Sequence, residues 1–133
     1  MKKLLFLTSE LPFPANSGGK LKSLELLTRL VGEYQVSLAC PLKLDDRLHV
    51  TRFLADFRGL DQVLVRATDV PRSPINLLRS YLAGVPLNVL RTANAELAAE
   101  VAAIIDDFDV VFVDHYEAGQ YLPASYDGQR VYH

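Results

Sequence analysis

The sequence predicts an α/β domain in which a parallel sheet carries helices on both faces. Three observations predict it. Apolar runs of strand length alternate with segments of helical periodicity along the 133 residues, the pattern of repeated βα units. Val110–Val113 is an unbroken apolar run, as expected of a central strand buried on both faces. An apolar strand at Leu4–Leu7 runs into a Pro- and Gly-punctuated loop that delivers Gly18-Gly19 onto a helix.

The elements follow in order. The first strand is Lys3–Thr8, and the first helix runs from about Gly19 to Val31, with Leu24, Leu27 and Val31 on one face and Gly32 as its stop. The second strand is Gln35–Cys40, where Val36, Leu38 and Cys40 alternate. Asp45 or Asp46 is expected to cap a second helix, whose Val50, Phe53, Leu54 and Phe57 keep helical spacing until Gly59. The third strand is Gln62–Arg66. Between Ala67 and Arg91 the alternation breaks, and Pro71, Pro74 and Pro86 cut out a short helix, Ile75–Ala83. Asn94 can cap the next helix, with Leu97, Val101, Ile104 or Ile105, and Phe108 as its buried stripe. The fourth strand is Val110–Val113. A polar-aromatic turn, Asp114–Glu117, and a helical or irregular piece to Leu122 lead to a fifth strand, Arg130–His133. That strand lacks the neighbours that would complete its edge, so 1–133 is expected to be one domain, incomplete at its C-terminal end, of a longer protein.

Composition narrows the class. The chain has the length of about one domain, is 50% hydrophobic and carries a net charge of −2, which gives no basic field for nucleic acid. One cysteine, Cys40, allows no internal disulfide and fits a reducing compartment, so the cytoplasm is expected. The opening MKKLLFLTSE resembles a leader, but its apolar run is shorter than the roughly 7–15 residues a signal h-region needs. No stretch approaches the ~20 apolar residues of a membrane span, so any membrane contact would be peripheral.

In open α/β sheets ligands bind beyond the carboxyl ends of the strands, and several features fall on that edge. The first is Gly18-Gly19, followed by Lys20 and Lys22. Cations sit poorly against the positive end of a helix dipole, so this junction is expected to hold an anion. The plain structural reading is a tight loop needing positive φ; the functional one is a backbone that a diphosphate or sugar can approach. Neither GxGxxG nor GxxxxGK[ST] is present. The second feature is His115, between Asp114 and Glu117, and the third is His133. A histidine at a strand end can be merely satisfied by backbone, or it can serve as a proton-transfer group tuned by the carboxylates. His49, between Arg47 and Arg52, reads as part of a solvated helix face.

The segment Arg66–Arg91 sets Arg66, Arg72, Arg79 and Arg91 against Asp69 alone, with Leu77, Leu78, Tyr81 and Leu82 interleaved. The plainer reading is a helix packed on the sheet with its arginines in water. The other is an amphipathic segment suited to a membrane surface or an anionic acceptor.

The stretch LTSELPFPANSGGKLKSLELLTRL, with the following YQVSLAC, resembles the N-terminal Rossmann-like domain of retaining glycosyltransferases of the GT-B fold, family 4. The likeness extends to DVVFVDHYEAGQYL and to the terminal VYH. It implies the acceptor-side half of a two-domain enzyme that moves a sugar from a nucleotide-diphosphate donor to a glycan or glycolipid acceptor, without a metal or other cofactor. By this resemblance Gly18 and Gly19 line the reaction centre, Lys20 or Lys22 balances diphosphate charge, and His115 stands near the transferred sugar as the catalytic candidate. Glu117, Arg79 and His133 are the acceptor-side candidates. The resemblance implies a partner C-terminal domain of the same protein bearing a Glu-x7-Glu motif. Glu25 and Glu33 match that spacing only by coincidence, being on the wrong domain, and the fragment alone is expected to be inactive. A location at the inner membrane face is compatible with a glycolipid acceptor. The alternative is a non-catalytic Rossmann-like module that binds an anion or nucleotide through the same loop.

Overall fold

A computed structural model describes all residues from Met1 to His133. Its strands are β1 (Lys3–Thr8), β2 (Gln35–Leu42), β3 (Leu60–Ala67), β4 (Val110–Asp114) and β5 (Gln129–Tyr132). Its helices are α1 (Gly18–Val31), α2 (Val50–Asp56), α3 (Pro74–Ala83), α4 (Leu87–Thr92) and α5 (Ala95–Ile104). Short 3₁₀ segments occupy Leu44–His49, Ile105–Asp107 and Tyr116–Tyr121. The strands form one all-parallel sheet in the order β3-β2-β1-β4-β5, a Rossmann-like arrangement.

Two cores follow from the alternation of strand side chains. Leu5 and Leu7 of β1 join Val111 and Val113 of β4 against Leu97, Val101 and Ile105. Leu4 and Phe6 point the other way, toward Leu27 of α1 and Phe53 of α2. Phe6 also stacks on Phe112, with ring centroids 5.3 Å apart. Each such side chain contributes about 1.5–3 kcal/mol on burial, and β1 supplies four of them, so it is the spine of both cores.

β2 continues two residues beyond Cys40, through Pro41. A proline cannot donate to a ladder, yet β2 lies inside the sheet. The conflict is resolved by where pairing stops: β1 pairs with β2 only as far as Leu7↔Ala39, while β2 and β3 stay paired to Leu42↔Ala67. Pro41 therefore sits where β1 has already left the sheet.

Several sequence expectations need correction. Asp45 and Asp46 do not cap α2. They lie within the 3₁₀ segment before it, and α2 starts after His49 with no side-chain cap. The helix Leu87–Thr92 was not expected, because it is short and follows Pro86 with no capping side chain to announce it. The helix at 74–83 does not pack its leucines on the sheet; Leu77, Leu78 and Leu82 are exposed, and its buried residues are Asn76 and Ser80. Gly18 and Gly19 need no positive φ, since both belong to α1 and the positive values occur only at Gly84 and His115. Other signals hold. Asn94 accepts the Leu97 N–H at 2.8 Å as the α5 cap, and Gly32 ends α1.

Gly59 marks a close approach rather than a helix stop. A Cβ there would lie 2.2 Å from Val31 Cγ1, and a helical valine has little χ1 freedom with which to yield. Gly59→Ala is expected to destabilise the fold by about 1–3 kcal/mol in urea titrations, whereas Gly18→Ala, which meets nothing within 4 Å, should be neutral or slightly stabilising.

Candidate functional site

In the strand order, β1 is the point from which the chain first builds outward through β2 and β3, then turns to add β4 and β5 on the other side. Loops after β1 and β4 must diverge there and leave a crevice at the carboxyl edge of the sheet. An open cleft of about 520 Å³ lies at this edge, lined by Ser9 and Glu10 after β1, Lys43 and Asp45 after β2, and His115 and Glu117 after β4. Arg72, Asn88, Arg91 and Thr92 line it as well. Only two of its 15 lining residues are hydrophobic, which suits a hydroxyl-rich or charged ligand rather than an apolar one.

The α4 part of the lining is held by the turn after β4. The Tyr121 hydroxyl donates to the Thr92 carbonyl, and Gln120 Nε2 donates to Val89 O at 3.2 Å and Thr92 Oγ1 at 3.0 Å. Burial pushes the Tyr121 phenol up to about 12, so this strut stays protonated through the neutral range. Arg91 is steadied by its Nε bond to Val70 O at 3.1 Å.

Asp114, at the end of β4, is the buried centre of the site, with 1% of its surface exposed. Ser23 Oγ on α1 donates to its Oδ2, and His133 Nδ1 lies 3.1 Å from its Oδ1. His133 Nδ1 and Asp114 Oδ1 are thus within hydrogen-bond distance, which ties the end of β5 to the end of β4. His115 Nε2 stands 3.4 Å from Ser23 Oγ and 3.6 Å from Asp114 Oδ2. His115 and His133 also line a small cavity of about 190 Å³ with Tyr116 and Tyr132. Opposite Asp114 in the β1–β4 register is Thr8, whose Oγ1 is buried without a hydrogen-bond partner.

His115 is the one non-glycine residue with positive φ, at φ 69° and ψ 135°. L-residues avoid this region because Cβ clashes with the backbone, at a cost of about 1–3 kcal/mol. The surrounding contacts hold the imidazole in place despite that cost. Its Cε1 lies 3.8 Å from where a Gly19 Cβ would be, and nothing lies within 4 Å of one at Gly18. The start of α1 is thus bare of side chains beside the imidazole. Ser17 Oγ caps α1 by accepting the Lys20 N–H at 3.2 Å, while the Gly18 and Gly19 N–H groups make no hydrogen bond.

The structure distributes the remaining candidates unevenly. Lys20 is buried and its Nζ is paired with Asp46 Oδ1 at 3.0 Å, so the counter-charge of this lysine comes from the chain itself. Lys22 is exposed on α1. Glu117 is brought to the cleft beside His115. Arg79 is not; it projects from α3 and bonds Asn76 Oδ1 at 3.2 Å, while Arg72 and Arg91 occupy the cleft instead. Ser23, Thr8 and Tyr121 carry no sequence signal that marks them as site residues, because their roles arise from strands and helices meeting across the fold. Cys40 is fully buried, and desolvation pushes its thiol up, so it is an inert core residue. No group of three or more His, Cys, Asp or Glu side chains is placed to hold a metal ion, and no helix is long and apolar enough to cross a membrane.

No protein-family model, curated protein or solved structure matches the chain.

Removing one partner of a buried ion pair leaves an uncompensated charge. Asp46→Ala is expected to lower stability by on the order of 3 kcal/mol, and the double variant Lys20→Met/Asp46→Leu to lie within about 1 kcal/mol of wild type, as read from denaturant midpoints. A single variant as stable as wild type would show that Lys20 is not held by Asp46.

Proposed function

We propose that this chain is the acceptor-side half of a retaining GT-B glycosyltransferase, which in the intact protein moves a sugar from a nucleotide-diphosphate donor to a glycan or glycolipid. One observation carries the reading. At the switch-point crevice, a histidine held in a strained backbone conformation stands against the side-chain-free start of α1, where two amides have no partner. Breaking a sugar–phosphate bond puts positive character on the anomeric carbon and negative charge on the departing diphosphate. Fixed amides at a helix N-terminus lower that barrier because they need no reorganisation as the charge develops.

In this reading Gly18 and Gly19 face the donor diphosphate, with Lys22 as the nearest uncommitted lysine of the pair, since Lys20 is neutralised by Asp46. His115 lies beside the transferred sugar. Glu117 belongs to the acceptor side, where Arg72 and Arg91 take the place expected for Arg79, while His133 lies outside that cleft in the small cavity it shares with His115. The polar cleft is the acceptor groove, and the C-terminal domain supplies most donor contacts. A glycolipid acceptor would bring the protein peripherally to the inner membrane face.

The test is a panel of nucleoside-diphosphate sugars screened against the intact two-domain protein by thermal shift and then by transfer. Wild type should be stabilised by its donor and should turn it over. Gly19→Val should abolish transfer with the fold retained, since a Cβ at this position meets only His115 Cε1 at 3.8 Å. His115→Ala should lower kcat by about 10²-fold or more. Diphosphate binding without transfer would favour the binding-module alternative. Near-wild-type transfer by Gly19→Val would remove the loop from the site.

A further inference from the structure

Lys43, Arg72 and Arg91 are the permanent cations lining the cleft, and they differ in what holds them. Lys43 Nζ is paired with Glu10 Oε2 at 3.2 Å. Neither arginine forms an ion pair with any carboxylate, whereas Arg66, earlier in the same stretch, is matched to Glu96 and Glu100. Each instead bonds a neutral acceptor across one gap. Arg91 Nε on α4 donates to Val70 O at 3.1 Å, and Arg72 Nη2 donates back to Asn88 Oδ1 on α4 at 3.3 Å. The two bonds lace segment 70–72 to α4 from opposite sides. Pro71, between their anchor points, is fastened in turn: its carbonyl accepts Asn76 Nδ2 of α3 at 2.8 Å, which gives that buried asparagine its role.

A guanidinium carries five N–H donors in one rigid plane. With only Nε committed, Arg91 keeps both terminal nitrogens for another partner, and Arg72 keeps Nε and Nη1. Asn88, Arg91 and Thr92 stand at i, i+3 and i+4, so they share a face of α4, and all line the cleft. The carboxylates of Asp45, Asp69 and Glu117 line it too, but none is ion-paired with either arginine. Two like charges braced on one wall repel each other until an oxyanion binds, and forks already fixed in orientation lose little freedom when it does.

We propose that the Arg72–Arg91 wall is an oxyanion subsite, and that the acceptor is a sugar or polyol carrying a carboxylate or phosphate at one end. The proposal rests on the reading of the cleft as the acceptor groove and adds the charge of what enters it. Both oxyanions match a guanidinium fork, and a neutral glycan would leave two guanidinium groups without a counter-charge. Asp45 and Glu117 accept from the hydroxyls of the ligand's body. The same acids repel a ligand that is anionic throughout, so a single charged end on a hydroxylated ring suits the lining.

The experiment is calorimetric titration of the intact protein with D-glucose, D-glucuronate and D-glucose 6-phosphate. At least one of the two anions should bind about tenfold or more tighter than glucose, with a preference that falls as salt is raised, and the tighter of the two identifies the group as carboxylate or phosphate. Arg72→Gln should cut that preference about fivefold or more with the melting midpoint unchanged, because the residue is exposed and gives up only its 3.3 Å bond to Asn88. Arg91→Lys, which keeps the charge and loses the fork, should cut it as well. Arg79→Gln, outside the cleft, should leave it at the wild-type value. Equal affinity for glucose and both anions would overturn the proposal, as would no binding of either anion, an undiminished preference in Arg72→Gln, or an equal loss in Arg79→Gln. The transferase reading fails separately. Arg72-dependent anion binding without turnover of any donor keeps the subsite and removes the transferase, whereas turnover onto a neutral acceptor that Arg72→Gln does not slow keeps the transferase and removes the subsite.

Discussion

The site depends on one buried carboxylate. Asp114 closes β4 at a depth where an unpartnered charge would cost several kcal/mol, so its surroundings must supply hydrogen bonds. Ser23 comes from α1 and His133 from the end of β5, and a single side chain thereby ties a helix and two strands together at the carboxyl edge. The same arrangement sets the position of His115, whose ring lies close to both Ser23 and Asp114. Pinned from two sides, the turn after β4 can hold a backbone conformation that a free loop would abandon.

The cleft beside it comes from interrupted pairing. β1 leaves β2 after Leu7↔Ala39, and Pro41, which has no N–H to offer, occupies the strand where that ladder has ended. The loops that follow β1 and β2 are joined by Lys43 Nζ donating to Glu10 Oε2 at 3.2 Å, and Ser9, Glu10 and Lys43 line the open space. Opposite them, α4 is fastened to the turn after β4 by Tyr121 and Gln120. A polar groove with a braced wall can bind a hydroxylated ligand without reorganising its lining, and such preorganisation keeps the ordering cost of binding low.

Two places break local rules, and both lie at the functional edge or next to it. His115 sits where an L-residue is strained, and α3 shows apolar side chains to water while covering polar ones. Elsewhere pattern and structure agree, from the alternating faces of β1 to the Asn94 cap. Departures of this kind concentrate where a protein interacts with something outside itself.

The sequence by itself determined the sheet, its five strands, and the edge on which Gly18-Gly19, His115 and His133 meet. These follow from hydrophobic period and strand-to-helix order, which are local and visible in one dimension. The fate of individual charges was decided only by the tertiary structure. Lys20 and Lys22 look alike along α1, yet one points inward to Asp46, 26 residues away, and the other stays in solvent. Arg79 and Arg91 are equivalent in composition, but only Arg91 reaches the cleft, because α4 folds over it and α3 does not. A helical pattern says which residues share a face; it does not say what that face meets. Which ionic and apolar groups find partners is set by contacts between distant segments, and those exist only once the chain has closed.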